Sequence, residues 1–278
     1  MSIFCLSDNI FGRIIPALLA AVTLLTGGCK KELDIDYHDT EAKTVIEATL
    51  TADGACVTIR NTTPMDEPMD LTNLSGADAS LTDLDMGLTE ILLPDTESRY
   101  VSKTPGIPGH TYQVEVLHGG CRYLSTCVMT AAPKITGVEF SWYSMPYDDV
   151  AALQVSIADN NPDITGECYW VRIYRNGEPY MWSAVKDDMA VDGIINEVLT
   201  TTRKETEEED EKTVLVDGDV VGVSVTRISR AFLDYLEAIS NDSNGPAMFK
   251  GDFCLGYFLA GEVSETSVIF HPGEIDHR

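Results

Sequence analysis

The sequence predicts an all-β protein, and three observations carry that reading. Short runs rich in valine, isoleucine, threonine and aromatics recur along the chain, most of them alternating in polarity. Glycines, prolines and an Asn-Gly pair punctuate them at hairpin spacing. One segment alone, after Ser229, carries a convincing helical period. Single cores seldom grow beyond roughly 250 residues, so a chain of 278 is expected to hold two domains. Hydrophobic residues make up 44%, enough to fill two cores.

The N-terminus reads as a targeting segment. Arg13 precedes an apolar run from Ile14 to Leu25, about half of the roughly 20 residues that a membrane-spanning helix needs. The run leads into Thr26, Gly27, Gly28 and Cys29, a pattern that resembles a bacterial lipobox with Thr26 where leucine is usual. Residues 1–28 are therefore expected to be a lipoprotein signal peptide, and Cys29 the lipid attachment. Each buried methylene of an acyl chain contributes about 0.8 kcal/mol, so several chains on one cysteine hold a protein at a membrane face. Residues 29–36 form a lipidated tether too charged to pack. Lys31 followed by Glu32 just after the cysteine resembles the signal that displays Bacteroidota lipoproteins on the cell surface.

Residues 37–133 divide into short strands. Val45 to Thr51 and Ala55 to Arg60 flank a turn at Ala52, Asp53 and Gly54, which makes a hairpin. Ala77 to Leu81, Glu90 to Leu93 and Arg99 to Ser102 are further strands. Thr111 to Leu117, with Tyr112, Val114 and Val116 on one face, turns through His118, Gly119 and Gly120 into Arg122 to Met129. Six or seven short strands without helical period predict an N-terminal immunoglobulin-like sandwich. Pro133 is expected to be an exposed linker between separately packed domains.

Residues 134–278 predict a second β-rich sandwich or barrel with one packed helix. Ile135 to Ser144, Val150 to Ala158 and Cys168 to Arg175 are longer strands, and the last carries bulky side chains on both faces. Asn176 and Gly177 form a two-residue hairpin turn into Tyr180 to Val185. Ile194 to Thr202, Lys212 to Val216 and Val220 to Ile228 follow as strands. Ser229 caps a helix over Arg230 to Ile239 whose stripe is Phe232, Tyr235, Leu236 and Ile239. Phe253 to Ala260 and Thr266 to Phe270 close the domain.

The segments LTGGCKKELDID, PGIPGHTYQVEV, CYWVRIYRNGE and FKGDFCLGYFLA, in that order, resemble Bacteroidota lipoproteins carrying domain of unknown function 4249. The resemblance implies an immunoglobulin-like first domain, a second β-rich domain and an association with a TonB-dependent outer-membrane transporter. It implies no catalytic residues.

Composition excludes some classes and motifs disfavour others. The 19 Lys+Arg against 45 Asp+Glu give a net charge of -26, which repels the phosphates of nucleic acid. Loss of residues 1–28 removes one acid, Asp8, and one base, Arg13, so the acidity belongs to the exported part. Five cysteines remain after Cys5 is cleaved off and Cys29 is lipidated, so at least one is unpaired. Cys168 and Cys254 read either as a bridge across a sheet or as buried small hydrophobes. No spacing of cysteine and histidine suits zinc. His38, His110, His118, His271 and His277 are scattered, without a hydrolase motif or a nucleotide loop, so neither catalysis nor a cofactor is expected. Asp159, Asn161, Asp163, Thr165 and Glu167 alternate like a calcium loop, but Ile164 and Trp170 stand at its decisive positions. Glu205 to Glu211 reads as an exposed acidic loop.

Aromatic residues are the remaining lead. Trp142 and Tyr143 lie near Tyr147, while Trp170, Tyr180 and Trp182 flank the Asn176-Gly177 turn. Trp142, Tyr143 and Trp182 are the binding candidates, with burial in a core as the competing reading. The expectation is a non-enzymatic outer-membrane lipoprotein at the cell surface, a ligand-binding or accessory component of a TonB-dependent transporter. The alternative is a fimbrial or adhesive sandwich subunit. Such subunits usually mature by cleavage after an Arg some way beyond the lipid cysteine, whereas the first Arg here after Cys29 is Arg60, inside a predicted strand.

Overall fold

A computed structural model describes residues 42–63, 72–146, 149–159, 165–203, 214–243 and 245–277. Cys29, the tether, Tyr147, Asn161, Asp163 and the Glu205 to Glu211 loop lie outside these residues. In chain order the first strands are β1 (Thr44–Thr51), β2 (Gly54–Asn61), β3 (Thr72–Asn73), β4 (Asp78–Asp83), β5 (Leu88–Ile91), β6 (Leu93–Pro94), β7 (Arg99–Val101), β8 (Thr111–His118) and β9 (Cys121–Val128). Then come β10 (Lys134–Ser144), β11 (Asp149–Ala158), β12 (Cys168–Arg175), β13 (Glu178–Lys186), β14 (Ile194–Arg203) and β15 (Val220–Ile228). Helix α1 (Arg230–Ser240), β16 (Lys250–Gly251), β17 (Leu255–Ala260) and β18 (Val263–Ile269) complete the list.

The strands form two sandwiches with the same wiring. In the first, β1, β2 and β7 make one sheet, and β5, β4, β8 and β9, in that order, make the other. In the second, β10, β11 and β14 stand against β13, β12, β15 and β18. Each unit thus places its principal strands one, two and five on one sheet and four, three, six and seven on the other. That is an immunoglobulin-like Greek key with the fourth strand on the larger sheet. Alternation supplies the two cores. Ile46, Ala48 and Leu50 of β1 meet Tyr112, Val114 and Val116 of β8 in the first, while Leu153, Val155 and Ile157 meet Tyr169, Val171 and Ile173 in the second. The second domain is a sandwich, not a barrel.

The Asn176-Gly177 turn forms as its sequence requires, with φ of 51° and 90° at the two positions. Asp219, at the start of β15, holds it. Its carboxylate accepts hydrogen bonds from Arg175 Nε at 2.7 Å, Asn176 Nδ2 at 2.7 Å and Val216 N at 2.8 Å. The strand expected over Lys212 to Val216 is absent from its described part, residues 214–216. There Leu215 is buried in the second core and the chain turns to place Asp219.

The connection between β15 and β18 departs most from expectation. Chain order alone places residues 250–260 in the second domain, yet β16 and β17 pair with the first. β17 runs parallel to β1, from Val45 opposite Leu255 to Leu50 opposite Ala260, and β16 pairs with β9. Phe249, Cys254, Phe258 and Ala260 join the first core. The physical reason is edge protection: β1 and β9 would otherwise present unpaired backbone to solvent. Gly256 makes the approach possible, because at its φ of 103° a Cβ would lie 2.0 Å from Ile46 O.

The same return binds the linker. Thr130 N donates to Ala260 O at 3.3 Å, Glu262 N to Thr130 O at 2.9 Å, and Ser264 Oγ to Pro133 O. Pro133 is buried, contrary to the exposed linker expected from its sequence.

Helix α1 begins as its sequence indicates, with Ser229 Oγ accepting from Phe232 N at 3.1 Å. Its buried residues are Phe232, Leu233, Leu236 and Ala238, whereas Ile239 is 49% exposed. The expected stripe is therefore rotated, because the helix meets β12 on one side and β17 on the other. A third core results, in which Phe232, Leu233 and Leu236 pack with Cys168, Ile228 and Leu259. Cys168 lies in this cluster and Cys254 in the first core, and both are free thiols, so the bridge is not formed. Burial pushes the Cys254 thiol up to about 12, which keeps it protonated and unreactive.

Candidate functional site

Period-two alternation divides β12 between a core and a surface. Tyr169, Val171 and Ile173 are buried in the second core, while Trp170, Arg172 and Tyr174 point from the opposite face. Arg172 is the centre of that face. Its guanidinium stands 4.5 Å from the Trp170 ring centroid and donates to Ser224 Oγ at 3.0 Å and Thr226 Oγ1 at 3.2 Å. Across the hairpin, Arg172 is opposite Trp182, which is 38% exposed. Trp170, Arg172, Tyr174, Pro179, Tyr180 and Trp182 line an open cavity of about 320 Å³.

Its inner wall is fixed by neighbouring aromatics. Trp170 meets Phe232 edge-on at 5.5 Å and Tyr257 at 6.4 Å, and Phe232 meets Tyr257 at 5.0 Å. Burial pushes the Tyr257 hydroxyl up to about 12, with the Glu47 carboxylate adding to the shift and Arg172 opposing it. Trp170 Nε1 and Arg172 Nε are both buried with no hydrogen-bond partner in the protein. The cavity therefore offers aromatic faces and a positive charge. These suit a ligand with flat or C–H-rich surfaces and oxygen acceptors.

A register shift brings Trp182 here. From the turn, Arg175 pairs with Glu178 and Tyr174 with Pro179, and Tyr180 is then skipped, so that Ile173 pairs with Met181. Continued without that bulge, the pairing would set Trp182 opposite Val171 and aim it at the core. Pro179, which lacks a backbone N–H, sits at the irregularity.

The other two aromatic candidates do not join this site. Trp142 is 3% exposed, its Nε1 donates to Pro272 O at 3.1 Å, and its ring stacks on His277 at 6.3 Å. It is a core residue and is corrected as a binding candidate. Tyr143 is half-buried on β10, in the opposite sheet from Trp182. The sequence alone does not single out Arg172. Its place between Trp170 and Tyr174 in the alternation was the available signal.

Two acidic groups are committed to structure. Glu167, from the alternating acidic run, is buried in an ion pair with Arg227 and accepts from Tyr169 OH at 2.9 Å. Asp83, Asp85 and His110 lie close enough to surround an ion. Asp83 Oδ1 already accepts Asp85 N and Met86 N at 3.0 Å each, Asp83 Oδ2 is 2.8 Å from His110 Nδ1, and Thr111 N donates to Asp85 at 2.6 Å. This is a clamp across the β4–β5 turn. Burial by itself raises the Asp83 carboxyl, but the bonds from His110 and Met86 outweigh it and hold the group below the usual carboxylate range.

No protein-family profile matches the chain, and no curated protein matches it. Among solved structures it is similar to a two fibronectin type-III domain segment from chicken tenascin, at 13% identity and a TM-score of 0.24, covering 83% of this chain and 100% of that one. It is also similar to a cytokine receptor complex, at 10% identity and a TM-score of 0.28, covering 81% of this chain and 95% of that one. Likenesses at this level add nothing to the fold read from the sheets. Among the described residues, no helix is long and apolar enough to cross a membrane.

Proposed function

We propose that this chain is a non-enzymatic lipoprotein, anchored in the outer membrane through Cys29 and displayed at the cell surface, that captures ligand for a TonB-dependent transporter. The observation that carries the ligand-binding role is the cavity built by Trp170, Arg172 and Trp182 on a rigid outer sheet face. Supporting the location are the lipobox-like segment, the charged tether and the resemblance to Bacteroidota lipoproteins. The fimbrial alternative is disfavoured by Arg60, which lies inside β2 in an ion pair with Glu47, where a maturation protease has poor access.

The ligand class that suits the cavity is a saccharide, because sugar C–H faces stack on indoles and ring oxygens accept from a guanidinium. Soluble protein carrying Cys29→Ser, titrated with neutral and uronate-containing oligosaccharides, should show a saturable change in tryptophan fluorescence. Trp182→Ala should abolish the binding. Failure of every oligosaccharide, or binding that survives both Trp182→Ala and Arg172→Ala, overturns this assignment.

A further inference from the structure

We infer that the β5 edge of the first sandwich is a docking site for an extended basic segment of a partner protein, which adds to the sheet as a further strand. The first sandwich has its β1 and β9 edges closed by β17 and β16. Among the described residues, no strand pairs with the outer side of β5, which ends the five-stranded sheet. Natural edges are normally blunted by lysine, proline or a covering element. The β13 edge of the second sandwich follows that rule with Pro179 and Lys186. β5, with the sequence LTEI, lacks lysine and proline and is guarded only by its shortness and by the inward-facing Glu90.

The side chains around β5 are apolar and open. Leu88 is 60% exposed and Ile91 72%, with Met86 and Leu93 exposed beside them. Behind β5 the two sheets part over a cavity of about 340 Å³, lined by Leu81, Met86, Leu88, Pro105, Ile107 and Tyr112. Glu90 closes its floor by accepting from Ser102 Oγ at 2.7 Å. An added strand would gain main-chain hydrogen bonds from β5 and would set alternate apolar side chains against Leu88 and the cavity.

Charge selects the occupant. Between Arg60 and Arg99 the sequence contains no Lys, Arg or His, and Asp83 and Glu90 line the cavity behind the edge. A second copy, also carrying -26, is repelled. A strand that alternates apolar with basic residues has complementary chemistry on both counts.

The probe is an acetylated peptide of alternating valine and lysine, with the valine–glutamate isomer as control, added to the mature soluble chain carrying Cys29→Ser. The lysine peptide should bind, protect amides 88–91 from hydrogen exchange and weaken as salt rises. Leu88→Lys and Ile91→Lys change exposed residues, so thermal unfolding should stay near wild type while peptide affinity falls at least about tenfold. Trp182→Ala should leave peptide binding unchanged, which separates this inference from the saccharide assignment. Equal binding of the glutamate isomer, absence of binding, or protection elsewhere overturns it. So does a dimer of the chain that Ile91→Lys dissolves and the peptide cannot disrupt.

Discussion

Phe232 is the residue whose loss should reveal how the two sandwiches are joined. It is 1% exposed and packs at once on Trp170 of β12, Tyr257 of β17 and Tyr235 of its own helix. Truncating a buried phenylalanine to alanine costs about 3–5 kcal/mol, from lost transfer energy and the cavity left behind. Each kcal/mol lowers the melting temperature of a domain this size by about 2–4 °C, so Phe232→Ala should melt about 6–20 °C lower. Hydrogen exchange adds the distinguishing measurement: amides of α1, β16 and β17 should lose protection before those of β11 or β12. Ile239→Ala, on the exposed side of the same helix, should cost less than about 0.5 kcal/mol. Equal effects at both positions, or a Phe232→Ala variant that loses protection only within α1, would refute the idea that this ring couples the sandwiches.

Three other perturbations test the remaining parts. Asp219→Ala strips a buried acceptor from Arg175 and Val216 and should cost about 3–5 kcal/mol in urea unfolding. Burial alone would raise the Asp219 carboxyl, but the Val216 N–H, Asn176 and Arg175 hold it below the usual range. Its stabilisation is therefore complete above the unfolded pKa of about 3.9 and is lost as pH falls through the lower folded value. Asp219→Asn should flatten that acid limb, and an unchanged limb would count against the assignment. Residues 42–133 expressed alone lack β16 and β17 and should aggregate or exchange amides freely; a soluble, well-protected fragment would show that the return is dispensable. Cys29→Ser should release the full-length protein from membranes and abolish labelling by radioactive palmitate, and labelling that persists places the lipid elsewhere.

What the sequence made legible was local. The hairpins β1–β2, β8–β9 and β12–β13 follow from alternation and from Gly or Asn-Gly turns, because the chemistry that forms them lies within a few residues. The Ser229 cap is equally local. The pairing of β17 with β1 has no such signature, since an apolar run satisfies many sheet edges and chain order suggests the nearest one. Helical period located a stripe but not its azimuth, so Leu233 rather than Ile239 faces the core once β17 sits beside α1. At the candidate site, Trp182 was recognisable as an aromatic near a turn. The bulge that turns it outward depends on Pro179 and on pairing that composition does not reveal. Trp142 had the same composition-level signal and the opposite fate, because the C-terminal residues at 272–277 close over it.

The return of β17 also sets an order of events during folding. Val45 finds its partner only when Leu255 is available, a closure of about 200 residues whose entropy costs about 5 kcal/mol before any contact forms. Pairings of such separation form late and slowly. A chain threading across a membrane from its N-terminus would expose the β1 and β9 edges until nearly its last residues emerged. The first sandwich to be synthesised therefore stays unfinished until nearly the whole chain is made, and until then the nascent protein depends on an escort or on speed to avoid pairing with its neighbours.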